Sequence, residues 1–411
     1  MSLDSYSVKE IRDICKINDS SYSRKDNWSF FNYLDTKNIT KGEINEIKYL
    51  DPSIEKIPSR AKRKVNIDDI IISTVRPNQE HYGMIKYKMD NFLVSTGFTT
   101  LTVDKSKAIP EFIYYYITQN HITEALQTIA EQSTTSYPSI RPSDIGDIII
   151  NLPPLKIQKG ISNILSNIEN KIEINKKINK NLTKLIDTSF KNYLLNFENY
   201  SEEDLISSEF GPIPKGWGVN NLTGIANYQN GLAMQKFPPE TPEDSFKVLK
   251  IKELRQGFFD ESSDLCSKNI KEECIVYDGD VIFSWSGSLL VDIWTGGTCG
   301  LNQHLFKVTS SNFDKWFYYC WTKFYLDQFI LIAKDKATTM GHIKRQHLEE
   351  SLVLIPDEET YNNLTNLFKP LFEYLTKNKI EIKKLQSLRD TLLPKLMSGE
   401  IDVSKINCEF F

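Results

Sequence analysis

Cysteine and histidine are scarce in this chain, and neither is arranged for chemistry. Six cysteines (15, 266, 274, 299, 320 and 408) form no CxxC pair, and five histidines fall on no zinc-type spacing. A metal site or a disulfide framework is therefore not expected. No apolar run approaches the ~20 residues that cross a bilayer, and the opening Met1 to Asp13 is polar without a signal-type apolar core. A cytoplasmic protein with no membrane partner is expected. A GxxxxGK[ST] phosphate loop is missing, as is a GxGxxG turn after a strand. Asn-Leu-Pro-Pro at 151–154 lacks the following aromatic that an amino-methyltransferase loop needs, and serines, histidines and aspartates are scattered without a nucleophile elbow. Neither a catalytic set nor a cofactor bound by this chain is expected. Surplus positive charge is absent too, with 50 Lys and Arg against 54 Asp and Glu, a net −4. Nucleic-acid binding, if present, has to come from a local concentration of cations on one face.

At 411 residues and 40% hydrophobic content the chain exceeds one ordinary core of about 150 residues. It also repeats itself with a period of about 205 residues. Val8, Ile11 and Ile14 match Val219, Leu222 and Ile225, a spacing that suits one face of a short helix. DDIIISTVRP (68–77) matches GDVIFSWSG (279–287), an acidic turn leading into a buried strand. PEFIYYYI (110–117) answers DKWFYYCW (314–321), both aromatic-rich and helical in pattern. SIRPSDIGDIIINLPP (139–154) answers HIKRQHLEESLVLIPD (342–357), where alternating apolar residues predict a strand that stops at proline.

After each proline stop comes a long segment that reads as a helix, from Lys156 to about Asn192 and from Glu358 to about Leu393. Ile161, Ile164, Ile168, Ile178, Leu182 and Leu185 in the first, and Leu364, Leu367, Leu371, Tyr374, Leu385 and Leu388 in the second, fall on the 3–4 spacing of a coiled-coil seam. Asn175 and Asn378 interrupt the two seams at equivalent places; each either fixes the register or faces water at a loose point. The predicted fold class is α/β (α+β): two pseudo-repeated domains with mixed, twisted sheets, separated by two long helices that form an antiparallel coiled coil. The expected divisions are 1–154, a helix over 155–195, a linker over 196–211, a second domain over 212–356, and a second helix with its tail over 357–403.

Side chains suited to DNA gather at matched places. The stretch 56–64 holds five cations in nine residues, Arg60, Lys62, Arg63 and Lys64 among them; it meets phosphates or is a solvated charge run. Just beyond the strand at 70–75, Arg76, Asn78, Gln79 and His81 combine the side chains that pair with guanine and adenine edges, or form an ordinary polar turn. The second half offers Trp285 and Ser286 there, with Lys250, Lys252, Arg255 and Gln256 upstream. Before each closing strand lies a polar loop, with Thr134, Thr135 and Tyr137 in one half and Thr338, Thr339, His342, Lys344 and Arg345 in or beside the other. The loops hold backbone or bases, or are structural turns. Eight lysines against three acids between Lys156 and Lys191 line a duplex or form a wet helix face.

The arrangement of domain, long helix, domain, long helix resembles the specificity subunits of type I restriction-modification systems over nearly the whole chain. The likeness rests on GPIPKGW (211–217), the strand blocks 68–77 and 279–287, LPPL (152–155) and above all KKLQSLRDTLLPKLMSGEIDV (383–403). It implies two target-recognition domains that each read one part of a split DNA sequence. It further implies two modification subunits that methylate adenine with S-adenosylmethionine, and restriction subunits that depend on ATP and Mg. Two features depart from the pattern: the first domain has no counterpart of GPIPKGW, and its helix runs into the linker 196–211 without an MSGEI tail. A non-catalytic coiled-coil scaffold, or a silent variant allele, shares the helices but does not require the matched polar loops.

Overall fold

The structure is a computed structural model that describes residues 6–133, 137–335 and 341–405. It divides into two compact units, Met1–Asn170 with Ser387–Phe411, and Lys171–Gln386. Each unit therefore takes in part of both long helices.

The strands of the first unit are β1 (Ser7–Glu10), β2 (Cys15–Ile17), β3 (Phe31–Leu34), β4 (Lys48–Leu50), β5 (Ala61–Lys64), β6 (Ile70–Ser73), β7 (Tyr82–Met84), β8 (Phe92–Ser95), β9 (Phe98–Val103) and β10 (Ile149–Leu152). Two four-stranded sheets run β4-β3-β8-β5 and β2-β9-β6-β7, and β1 pairs antiparallel with β10. The helices are α1 (Ile11–Ile14), α2 (Pro110–Ile117), α3 (Asn120–Glu131), α4 (Pro142–Gly146) and the 36-residue α5 (Leu155–Phe190).

The second unit repeats these ten strands, while a short hairpin of Ile39–Thr40 with Glu43–Ile44 in the first unit and one of Leu205–Ser208 with Gly211–Pro214 in the second, within and just past the expected linker, have no counterpart among the described residues. It holds β11 (Gly218–Asn221), β12 (Asn227–Asn230), β13 (Ser245–Leu249), β14 (Leu265–Ser267), β15 (Ile275–Val276), β16 (Val281–Ser284), β17 (Leu290–Ile293), β18 (Cys299–Leu301), β19 (Leu305–Thr309) and β20 (Leu352–Ile355). The sheet orders are β14-β13-β18-β15 and β12-β19-β16-β17, with β11 antiparallel to β20. In both units the central pair of the first sheet, β3 with β8 and β13 with β18, is parallel, and every other pairing named above is antiparallel. Its helices are α6 (Leu222–Ile225), α7 (Ile251–Gln256), α8 (Lys315–Phe324), α9 (Leu326–Asp335), α10 (Arg345–Glu349) and the 40-residue α11 (Glu358–Met397). Of these helices only α7 lacks a counterpart among the described residues of the first unit.

One expected element changes character. Val8 and Val219 do not share a helical face with the residues after them; they lie in β1 and β11, and only Ile11 to Ile14 and Leu222 to Ile225 form helical turns. Cross-strand pairing, Val8 with Asn151 and Val219 with Leu354, overrides the local i, i+3 pattern.

The long helices pair antiparallel. In the first unit Arg389 of α11 reaches Glu169 of α5 at 2.7 Å, and in the second Glu381 of α11 meets Lys171 at 3.7 Å and accepts from Asn175 Nδ2 at 3.0 Å. Burial by itself would lower the Arg389 pKa, but the hydrogen bond and charge of Glu169, with Asp390, outweigh it and raise it. Asn175 and Asn378 are both buried, and Asn378 Nδ2 finds no partner among the described residues.

The buried row departs from the predicted frame at several positions, although Ile161 and Leu364 are buried as expected. Leu367 is 40% exposed whereas Phe368 is fully buried, and the same exchange separates Tyr374 from Leu375 and Leu185 from Ile186. Leu388, also placed on the seam, is exposed. Apolar residues occupy adjacent rows on these helices, so spacing does not say which row turns inward. Aromatic packing decides it: Phe368 stacks on Trp316 of α8 at 4.6 Å with the rings 7° apart, and Trp316 Nε1 donates to Thr365 Oγ1 at 3.0 Å. Truncating Phe368→Ala is expected to cost about 3–5 kcal/mol, and Leu367→Ala about 0.5 kcal/mol. Thermal or denaturant unfolding of the two variants checks this, and equal losses would contradict the assigned seam.

Candidate nucleic-acid interface

Both domains build the same loop where the buried strand of the second sheet ends. In the first, Ser73 closes β6 by donating its Oγ to the Val75 carbonyl at 3.0 Å. The chain is then clamped to the segment before α4, because Arg76 N donates to Pro138 O and Ile140 N to Thr74 O, each at 2.9 Å. In the second, Ser284 Oγ donates to Ser286 O at 3.2 Å, Gly287 N to Gly341 O at 2.8 Å and Ile343 N to Trp285 O at 3.1 Å. The matching bonds put Thr74 opposite Trp285 in the repeat, and Arg76 opposite Gly287.

The two loops present different chemistry. Arg76 is exposed, and its guanidinium carbon lies 5.3 Å from the Tyr137 ring centroid, within cation–π range. Asn78 and Gln79 follow in a 3₁₀ turn, both exposed. In the second domain Trp285 stacks on Phe306 at 5.7 Å, meets His342 edge-on at 6.2 Å and donates its indole N–H to Asn230 Oδ1 at 3.2 Å. Ser286 is buried with its Oγ 3.0 Å from His304 Nδ1. Asn230 and His304 carried no sequence signal, since they join the cluster only through the pairing of β12 and β16 with β19.

Several of the side chains expected to meet DNA make contacts within the fold. Arg63 Nε donates to Phe98 O at 3.1 Å, and burial lowers the pKa of its guanidinium. Lys64 pairs with Asp26 and lies over Trp28; its hydrogen bond, together with the Ser23 N–H, holds the Asp26 carboxyl below its usual range. These two residues are in β5, where pleating and cross-strand neighbours claim them, while Arg60 and Lys62 stay exposed. His81 has both ring nitrogens engaged, Nδ1 2.6 Å from Ile39 O and Nε2 3.2 Å from the Gln79 side-chain oxygen. Lys250 pairs with Asp264, and Lys252 with Asp260 at 2.7 Å, a bond that with Ser262 drives the Asp260 pKa far down. Gln256 Nε2 donates to Phe258 O at 2.6 Å, and Arg255 remains exposed on α7. Lys344 and Arg345 begin α10, both exposed, with Arg345 3.9 Å from Glu349. Thr134, Thr135, Thr338 and Thr339 lie outside the described residues.

Around the middle of α11 the lysines are interspersed with carboxylates. A groove of about 870 Å³ in the second unit is lined by Lys171, Lys315, Lys369, Lys377 and Lys384, but also by Asp278, Asp314, Glu373 and Glu381. Among the described residues no group of three His, Cys, Asp or Glu could hold a metal ion, and no helix is long and apolar enough to cross a membrane. Burial pushes the Cys15 thiol up to about 12, away from nucleophilic use.

Two mixed domains of the same plan thus carry differently furnished loops, each beside a stretch of paired long helix. Residues 4–184 match the family model of the type I restriction modification DNA specificity domain. The chain is 27% identical over 336 residues to the type I restriction enzyme MjaIX specificity subunit of Methanocaldococcus jannaschii, covering 79% of this chain and 76% of that one. It is 20% identical over 429 residues to the HindI specificity subunit of Haemophilus influenzae, covering 88% and 94%. Its fold is similar to the crystal structure of a type I restriction-modification system S subunit from M. genitalium, with a TM-score of 0.56 at 15% identity over 95% of this chain and 96% of that one. The chain is thus similar to type I restriction-modification specificity subunits over most of its length, with the DNA specificity domain matched across its first half.

Because Arg63 serves the fold and Lys62 does not, Arg63→Ala is expected to cost about 1–3 kcal/mol of stability and Lys62→Ala about 0.5 kcal/mol or less. Melting temperatures of the two variants test this division.

Proposed function

We propose that this chain reads a two-part duplex target, one half-site per domain, and delivers it to partner subunits that carry the chemistry. The observation that carries the reading is the loop clamp, the same in both domains yet furnished with Arg76 and Tyr137 in one and Trp285, His342 and His304 in the other. An identical backbone with different side chains suits independent reading of two different half-sites in the major groove. The exposed Arg60, Lys62, Arg255, Lys344 and Arg345 are suited to phosphates, and supply salt-sensitive affinity that the net charge of −4 does not. Two modification subunits methylate adenine with S-adenosylmethionine, and restriction subunits use ATP and Mg. The paired helices act as a ruler: 36 residues of α5 rise about 54 Å, roughly one and a half turns of duplex.

Sequencing of host DNA for N6-methyladenine, with and without the gene beside its modification subunit, gives the target directly. A split motif that disappears with the gene is expected; a motif that persists unchanged would refute the assignment, and none at all would mark a silent allele or a scaffold. Inserting one heptad into both α5 and α11 is expected to lengthen the spacer between half-sites and leave the half-sites intact, so an unchanged spacer sinks the ruler. Exchanging the first domain for that of another family member should alter one half-site only.

A further inference from the structure

Within the clamped loop, the repeat sets an arginine against the backbone it occupies. Arg76 has φ 48° and ψ 71°, the left-handed region, and its equivalent in the second domain is Gly287 at φ 65°. Glycine reaches that region freely, whereas an L side chain meets its own carbonyl there. The fold gives no local return for arginine at this position. The side chain is exposed, and among the described residues its guanidinium makes no hydrogen bond or ion pair; the contact it does make is with the ring of Tyr137. Strain retained without a structural return points to function.

We propose that Arg76 is a specificity-determining residue of the first half-site and that it reads a guanine, a reading that rests on the function proposed above. The guanidinium fork matches the O6 and N7 acceptors of guanine two at a time, and no other base edge in the major groove offers that pair. A phosphate contact needs neither a fixed backbone nor a ring beneath the cation, and the exposed Arg60 and Lys62 are available for it. The left-handed turn fixes where the side chain leaves the loop, the bonds from Arg76 N to Pro138 O and from Ile140 N to Thr74 O fix the loop itself, and Tyr137 steadies the cation. With Gly287 in the matching place, the second domain has no such reader there, and its base contacts pass to the Trp285 cluster.

The test compares wild type with Arg76→Gly and Arg76→Lys in the full chain assembled with its modification subunit. Arg76→Gly suits the left-handed backbone, so its melting temperature is expected to equal or exceed that of wild type; a clear fall would remove the premise of strain. Methylome sequencing of the wild type should show at least one G·C pair in the half-site read by the first domain. Arg76→Gly should relax that one pair, its discrimination falling about 10- to 100-fold, with the second half-site untouched. Arg76→Lys should keep affinity but lose the same discrimination. Duplexes carrying 7-deazaguanine, which lacks the N7 acceptor, should weaken wild type at that one position and leave Arg76→Gly unaffected. A uniform loss across all sequences would identify a phosphate contact and overturn the assignment, as would an unchanged first half-site. A wild-type complex with no bipartite motif would fell the underlying reading as well, which separates the two failures.

Discussion

Everything in each domain depends on the antiparallel closure of its first strand on its last. Ser7 to Glu10 pairs with Leu152 to Ile149, and Gly218 to Asn221 with Ile355 to Leu352. This long-range pairing returns the chain to its starting edge. Pro153 and Pro154, or Pro356, then end the strand, and the long helix begins at Leu155 or Glu358. Closure thus fixes where each helix leaves its domain. Gln158 locks the first departure, accepting from Ile109 N at 2.8 Å and donating to Pro153 O at 2.8 Å while buried. Trp316 on Phe368 does the same work in the second.

Closure also explains why the clamped loops can differ while the framework does not. The segments that clamp them, around Pro138 to Ile140 and Gly341 to Ile343, are the approaches to α4 and α10 and so to the closing strands. Backbone bonds and the serines Ser73 and Ser284 set the loop path, which leaves the outward side chains free to vary without cost to the core. Several cations away from the loops are paired with carboxylates, Lys64 with Asp26, Lys250 with Asp264 and Lys252 with Asp260. With a net charge of −4, the chain carries no bulk positive potential, so cations left unpaired on one face matter more to any polyanion than the total does.

Much of the fold was legible in the sequence because it is written in local pattern. The runs 70–73 and 281–284, the aromatic helices at 110–117 and 315–324, the closing strands and the proline stops each carry their period or their breaker within a few residues. Duplication doubled every such signal, and the tail 383–403 with GPIPKGW carried the family. The loops at 74–76 and 285–287 were found for the same reason, as the ends of repeated strands.

What only the tertiary structure decided are the choices made by groups far apart in the chain. Whether Leu367 or Phe368 faces inward depends on Trp316; whether Arg63 or Lys64 meets solvent depends on Phe98 and Asp26; and His304 joins Ser286 only once β19 has paired with β16. Composition offers both members of each pair equally, because a side chain's partners are set by packing and not by its neighbours in sequence. The sequence by itself determined the duplicated architecture, the two long helices and the recognition family, all properties of periodicity and repetition. Tertiary structure decided which cations the fold consumes, which helix row is buried, and that Arg76 stands in a backbone conformation its repeat assigns to glycine, since dihedral strain and long-range pairing leave no mark on the order of residues.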